Sequence, residues 1–224
     1  MKPDFEIKKV KCYNVDCMEF MKDVPDNYYE LAIVDPPYGI DKKITNNNSK
    51  TKSKGNAFAI RYDKNRWDKN RPPRKYFDEL KRISINQIIC GANYFVDFLE
   101  ISRGWIFWDK MGEKMSSVNN ELIYSTFDVS IKTFQRCHGM DKGFLSDHKV
   151  FHPTTKPTSL YKWLLINYAK EGDKIIDTHG GSFSSACACL DMGFDIDICE
   201  IDKEYFDNAV ERLKNNVQDY FEFA

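Results

Sequence analysis

Residues 35–38 read Asp-Pro-Pro-Tyr, with Gly39 behind them and an apolar run, Leu31 to Val34, in front. Proline has no N–H, fixes its own φ and restricts the residue before it, so the carbonyls of this corner are stiff acceptors. A carboxylate oxygen beside a fixed carbonyl suits an amino group with two N–H donors. Tyr38 adds a flat face on which a planar ring can stack. A proline turn with Asp35 as a local cap is the plain alternative. The run is uncommon after a buried strand, which favours chemistry, with Asp35, Pro36, Pro37 and Tyr38 as the catalytic set.

A second set lies near the other end. Gly180-Gly181 falls where a strand over 174–178 gives way to a helix over 181–193, and glycine lets the backbone approach a ligand closely. A helix start adds unpaired N–H groups and the positive end of the dipole. Glu200 ends the next strand, 194–201, about 20 residues after the glycines, where an acid commonly accepts ribose hydroxyls. This suits a nucleoside-bearing cofactor. A plain α/β turn with packing glycines accounts for it equally well.

The elements that must position these groups follow from the pattern. Strands are expected at 10–15, 29–34, 87–90 and 105–108, and 121–126 with 129–134 reads as a further strand or hairpin. Helices are expected at 17–24, 76–84, 93–100 and 158–170, where Thr158 or Ser159 stands near the start. A last helix, 202–216, has Asp202 as N-cap. Strand, glycine turn, helix, strand, helix is a βαβα unit, which implies a doubly wound, mainly parallel α/β sheet. The length of 224 residues fits one domain, 1–224.

VDPPYG resembles the catalytic motif of the amino-group (N6-adenine/N4-cytosine) DNA methyltransferases, which use S-adenosyl-L-methionine. HPTTKPTSLYKWLL (152–165) is similar to that family's HPxxKP motif and following helix, IIDTHGGSFSSA (175–186) to its DPFxGSGTT motif, and ICEID (198–202) to its acidic ribose-binding strand end. The catalytic corner precedes the glycine motif, as in the beta-type members, which implies a Rossmann-like fold with permuted motif order. The resemblance implies that Asp177, Thr178, His179, Gly180, Gly181, Ser182 and Glu200 bind the cofactor. It carries Lys156 to the cofactor's carboxylate, against an exposed structural lysine, and Asp16 to the adenine ring, against a surface acid. Two departures stand out. Thr178-His179 replaces Pro-Phe, and Phe183 replaces a glycine, where it is expected to crowd the helix start.

The implied activity is methylation of the N6 amino group of a flipped-out adenine in double-stranded DNA. Asp at the head of the motif favours adenine over cytosine N4, where the family usually shows Ser. The alternatives are an N4-cytosine enzyme, an enzyme acting on RNA or single-stranded adenine, and an inert DNA-binding partner subunit of the same fold, motivated by His179 and Phe183.

Net charge is −1, but its distribution is uneven. Residues 41–75 hold twelve Lys/Arg against three Asp, a local excess suited to a polyanion. This basic segment reads as a mobile loop, with Lys52, Lys54, Arg61, Arg66, Trp67, Arg71 and Arg74 as nucleic-acid contacts. A merely solvated loop is the alternative. Residues 136–151, including Arg136, are a short target-recognition region, which shares its task with 41–75 or with a second subunit of a homodimer. Whether a restriction endonuclease accompanies the chain is not written in these residues. Seven cysteines without a CxxC pair and four histidines without HExxH predict no metal. No apolar run approaches the roughly 18–20 residues of a membrane span, and the first residues lack the apolar block of a signal peptide, so a cytoplasmic protein without membrane contact is expected.

Overall fold

The computed structural model describes residues 1–40, 68, 70–110, 120–136 and 155–222, the side chains of 217–222 excepted. Nine strands form one sheet among these residues: β1 (Phe5–Ile7), β2 (Val10–Tyr13), β3 (Tyr29–Val34), β4 (Ser84–Ile89), β5 (Ile106–Asp109), β6 (Glu121–Ser125), β7 (Lys132–Gln135), β8 (Lys174–Asp177) and β9 (Asp195–Cys199). Their spatial order is β1-β2-β9-β8-β3-β4-β6-β5-β7. The five strands from β2 to β4 are mutually parallel. β1 and β6 run antiparallel to their neighbours.

Helices cover both faces, as a parallel sheet requires. α1 (Cys17–Lys22) and α2 (Arg74–Ile83) lie over one apolar cluster, while α3 (Thr158–Tyr168), α4 (Ser184–Met192) and α5 (Lys203–Glu222) enclose the other. β3 shows why its sequence is a continuous apolar run. Leu31 and Ile33 enter one cluster, Ala32 and Val34 the other, and all four are buried. The chain leaves β8 toward β9 on one side and leaves β3 toward β4 on the other. The carboxyl ends of β3 and β8 therefore flank the point where strand order reverses, the place where open α/β sheets bind ligands.

Some expectations change. The helix over 93–100 is only a 3-10 turn, Ala92–Tyr94, entered from Gly91 in the left-handed region. Residues 121–134 form no hairpin, because β5 lies between β6 and β7 and pairs with both. The helix after the glycines begins at Ser184, since Phe183 also takes a left-handed conformation, φ 58°. β1 was not expected; at three residues it is too short for a periodic signal. Asp202 caps α5 through the Glu204 and Tyr205 N–H groups, as expected. No described helix is long and apolar enough to cross a membrane.

Candidate active site

Each half of the site sits at a strand's carboxyl end. Asp35 and Tyr38 follow β3, and Asp177 closes β8 beside it. The Asp-Pro-Pro-Tyr corner is fastened at its far side by Asp68, which accepts from the Gly39 N–H at 2.7 Å and the Ile40 N–H at 3.3 Å. Tyr38 then turns back over Asp35, and its hydroxyl donates to Asp35 Oδ1 at 2.6 Å. Burial, followed by the charges of Asp35 and Glu121, raises the Tyr38 phenol well above its usual range, so it remains a donor.

Lys156, expected at the cofactor's carboxylate or on the surface, is buried in this corner. Its Nζ lies 2.6 Å from Asp35 Oδ2, 3.3 Å from Glu121 Oε1 and 2.9 Å from the Tyr38 hydroxyl. Burial opposes its charge, yet Asp35 and Glu121 outweigh burial and raise its pKa. Glu121 shows the converse. Burial alone would raise its carboxyl, but Lys156 and Lys110 hold it below the usual range. Asp35, Cys90 and Glu121 also converge as atoms able to hold a cation. The lysine ammonium already meets both carboxylates there, and burial keeps the Cys90 thiol protonated.

The Tyr38 ring stacks on Tyr94, with centroids 4.8 Å apart and planes 14° from parallel. Gly91 makes room for it: a Cβ at that position would stand 2.2 Å from Tyr38 Cε1. Arg71 braces the Tyr94 turn, donating to the Tyr94 carbonyl at 3.0 Å and forking onto Asp97 at 2.7 and 2.6 Å. Arg74 donates to the Asp97 carbonyl, and both guanidinium groups lie over Phe98. Two of the basic residues read from the sequence thus form a rim beside the corner. Arg136 follows β7, its N–H donating to the Asp109 carbonyl. Lys52, Lys54, Arg61, Arg66 and Trp67 lie outside the described residues, as do 137–151 and the His152–Thr154 part of the HPTTKP stretch.

The glycine turn is tightly held. Asp177 accepts from the His179 N–H at 3.0 Å and from Ser185 Oγ at 2.5 Å. Burial nonetheless lifts its carboxyl to about 7. Glu200, at the end of β9, accepts from the Gly181 N–H and from the Asp202 N–H, each at 2.8 Å. Thr178 Oγ1 lies 2.6 Å from the Tyr76 hydroxyl and 2.9 Å from His179 Nδ1. Burial lowers the His179 imidazole to about 4, with the Asp16 charge acting against it. Asp16, in the turn after β2, is partly buried and is the N-cap of α1, its Oδ1 accepting from the Met18 and Glu19 N–H groups.

Phe183 does not crowd the helix start. Its side chain is fully buried, edge-on to Phe206, and its ring fills the space that a Cβ on Gly180 would need. The positive φ supplies the reason a glycine suits this position, and costs a non-glycine residue roughly 1–3 kcal/mol. Arg212 of α5 fixes the turn from behind, donating to the Ser182 carbonyl at 2.7 Å and to Ser184 Oγ at 3.1 Å. Sequence reasoning missed Arg212, Tyr76, Tyr94 and Glu121. Gly91 and the charge at Glu121 within an apolar strand were the only local signals for the last two.

With this geometry in place, likeness to known proteins is decisive. A family model described as DNA methylase, of the N6/N4 methyltransferase type, matches residues 100–211. The chain belongs to the N6/N4 DNA methylase family. It is 26% identical over 275 aligned positions to the type II methyltransferase M.BamHI of Bacillus amyloliquefaciens, covering 98% of this chain and 60% of that protein. It is 31% identical over 70 residues to the DNA adenine methyltransferase YhdJ of Escherichia coli K12, covering 31% of this chain and 24% of YhdJ. The chain thus spans less than two thirds of either relative. Among solved structures, the complex of M1.HpyAVI with SAM superposes with TM-score 0.59 at 17% identity, covering 91% of this chain and 99% of that one. The PvuII cytosine-N4-specific DNA methyltransferase superposes with TM-score 0.62 at 12% identity, covering 96% and 93%. At these identities the two structures establish the shared fold, a Rossmann-like α/β sheet.

Proposed function

We propose that the chain transfers a methyl group from S-adenosylmethionine to the N6 amino group of an adenine flipped out of double-stranded DNA. The observation that carries this reading is the adjacency of the Asp35–Tyr38 corner and the Asp177–Ser182 glycine turn, on neighbouring parallel strands at the switch point of the sheet. M1.HpyAVI binds SAM in its solved complex, M.BamHI is a type II methyltransferase and YhdJ is a DNA adenine methyltransferase. The aspartate at position 35 favours adenine; the PvuII enzyme, which shares the fold, is cytosine-N4-specific.

The residues present fit the cofactor. Glu200, just past β9, and Asp16, in the turn after β2, offer carboxylate acceptors for hydroxyl and amino groups. Thr178, His179, Gly180, Gly181 and Ser182 form the glycine turn. S-adenosylmethionine, when bound there, supplies an electrophilic methyl group. The chain's own part is to hold the nucleophile. An aromatic amine is a weak nucleophile because its lone pair is delocalised into the ring. Asp35 and the Pro36 carbonyl accept its two N–H bonds, which favours a pyramidal nitrogen with its lone pair directed out of the ring plane, and Asp35 then takes the proton that nitrogen sheds. Tyr38 supports the ring by stacking. Positioning and preorganised electrostatics provide the acceleration. Base flipping costs a few kcal/mol, which phosphate contacts from the Arg71 and Arg74 rim and the basic segment offset.

Duplex DNA incubated with methyl-labelled S-adenosylmethionine and digested to nucleosides should carry the label as N6-methyladenine. Label in N4-methylcytosine would transfer the assignment to cytosine. Competition with single-stranded DNA and RNA identifies the preferred polymer. Label in none of these would sink the reading.

A further inference from the structure

In this structure Asp35 is held by the chain's own groups. The Lys156 ammonium lies 2.6 Å from Oδ2, and the Tyr38 hydroxyl donates to Oδ1 at 2.6 Å. A target amino group needs one of these oxygens. The ammonium is buried, its side chain 6% exposed, so off Asp35 and without a second anion it would be a buried charge with neither hydration nor a partner. Glu121 Oε1, 3.3 Å away, is the other carboxylate within ion-pair distance of it among the described residues. Glu121 stands at the start of β6, which pairs with β5 at this residue, and Lys110 anchors its second oxygen at 2.9 Å. Its position is therefore set by the sheet.

We propose that Glu121 is a positioning residue that draws the Lys156 ammonium off Asp35 as the target base enters, freeing a carboxylate oxygen for the amino group. The inference rests on the proposed role of Asp35 as the acceptor. The displacement is small, a contact at 3.3 Å tightening while one at 2.6 Å opens. It leaves the charge of the cluster unchanged: two carboxylates, Asp35 and Glu121, face two ammonium groups, Lys156 and Lys110, throughout. Burial keeps the neighbouring Cys90 thiol and Tyr161 phenol in their protonated forms, so neither competes for the ammonium as an anion. Without the charge on Glu121, Lys156 has no second anion to move to and Asp35 stays engaged.

The test compares Glu121→Gln and Glu121→Asp with the wild type in single-turnover methyl transfer, alongside equilibrium binding of duplex DNA and of S-adenosylmethionine. Gln keeps the shape and removes the charge, and should slow the transfer step on the order of 10- to 100-fold with both binding constants unchanged. Asp, which restores the charge, should recover most of the rate. A Gln variant as fast as wild type overturns the proposal. So does a rate loss that both variants share in proportion to lost binding and lost thermal stability, which is what a purely structural role would produce. If the wild type itself transfers no methyl group to DNA, the proposed function fails and the role of Glu121 falls with it; a failure confined to the variants spares the function.

Discussion

The Tyr38 hydroxyl donates to Asp35 Oδ1 across 2.6 Å, so the two ends of a four-residue motif are bonded to each other. Two prolines between them fix the corner, and this hydrogen bond fixes the direction of the carboxylate. Asp35→Ala removes the acceptor and should lower methyl transfer by at least about 100-fold, with S-adenosylmethionine affinity retained. Tyr38→Phe keeps the ring and loses only the hydroxyl, so its loss should be smaller than that of Tyr38→Ala. Single-turnover rates with calorimetric cofactor binding check both. Equal rates for the two Tyr38 variants would show that the ring contributes nothing.

Gly91 permits the Tyr38 position. A Cβ there would lie 2.2 Å from the ring, and the backbone is left-handed, φ 62°. The ring cannot yield freely, because Asp35 and Lys156 hold its hydroxyl and Tyr94 stacks on its face. Gly91→Ala should therefore destabilise the protein by about 1–3 kcal/mol in urea unfolding and reduce transfer more than cofactor binding.

Phe183 sets two effects against each other. Replacing it with glycine relieves the strain of a positive φ, about 1–3 kcal/mol, but empties a buried aromatic site, about 3–5 kcal/mol or more. The variant should be less stable than wild type. Gly180→Ala should also be destabilising, since its Cβ would lie 2.5 Å from the Phe183 ring. In the Phe183→Gly background that penalty should shrink, and a double-mutant cycle measures the coupling. Additive losses would mean the two residues do not meet as described.

Asp177 and His179 should give opposite pH dependences of stability. Burial lifts the folded Asp177 carboxyl to about 7. Its stabilising contribution is therefore full below about 4 and lost as pH rises through about 7. Burial lowers His179 to about 4, so its contribution is full above about 6.5 and lost as pH falls through about 4. Between pH 4 and 6.5 the two slopes offset each other. Asp177→Asn should expose the histidine slope, with the urea midpoint falling on acidification across that window. His179→Gln should expose the aspartate slope, with the midpoint rising as pH drops from about 7 to 4, a swing of roughly 4 kcal/mol at most. A flat profile for Asp177→Asn below about pH 6.5 would contradict the histidine assignment.

Much of the site was legible because its parts are local. Asp-Pro-Pro-Tyr fixes its own backbone wherever it is placed, and the strand, glycines, helix and acid of 174–202 have a period and a spacing that need no distant partner. β3 and β8 could be read as buried parallel strands for the same reason. What the sequence could not carry is the meeting of groups far apart along the chain. Lys156, 121 residues from Asp35, reads locally as a lysine before a proline; the sheet carries it into the corner and surrounds it with two carboxylates. Tyr94 and Glu121 gain their place only from the order β3-β4-β6, which no local pattern encodes. Phe183 looked like an obstruction because a side chain was expected where the backbone needs a glycine. The tertiary structure accommodates it by turning the ring into the core space that Gly180, lacking a Cβ, leaves open. Amino-acid types thus determined which chemistry the chain can host. Packing decided which charges face one another, because burial and distance, not spacing along the chain, set the strength of an ion pair.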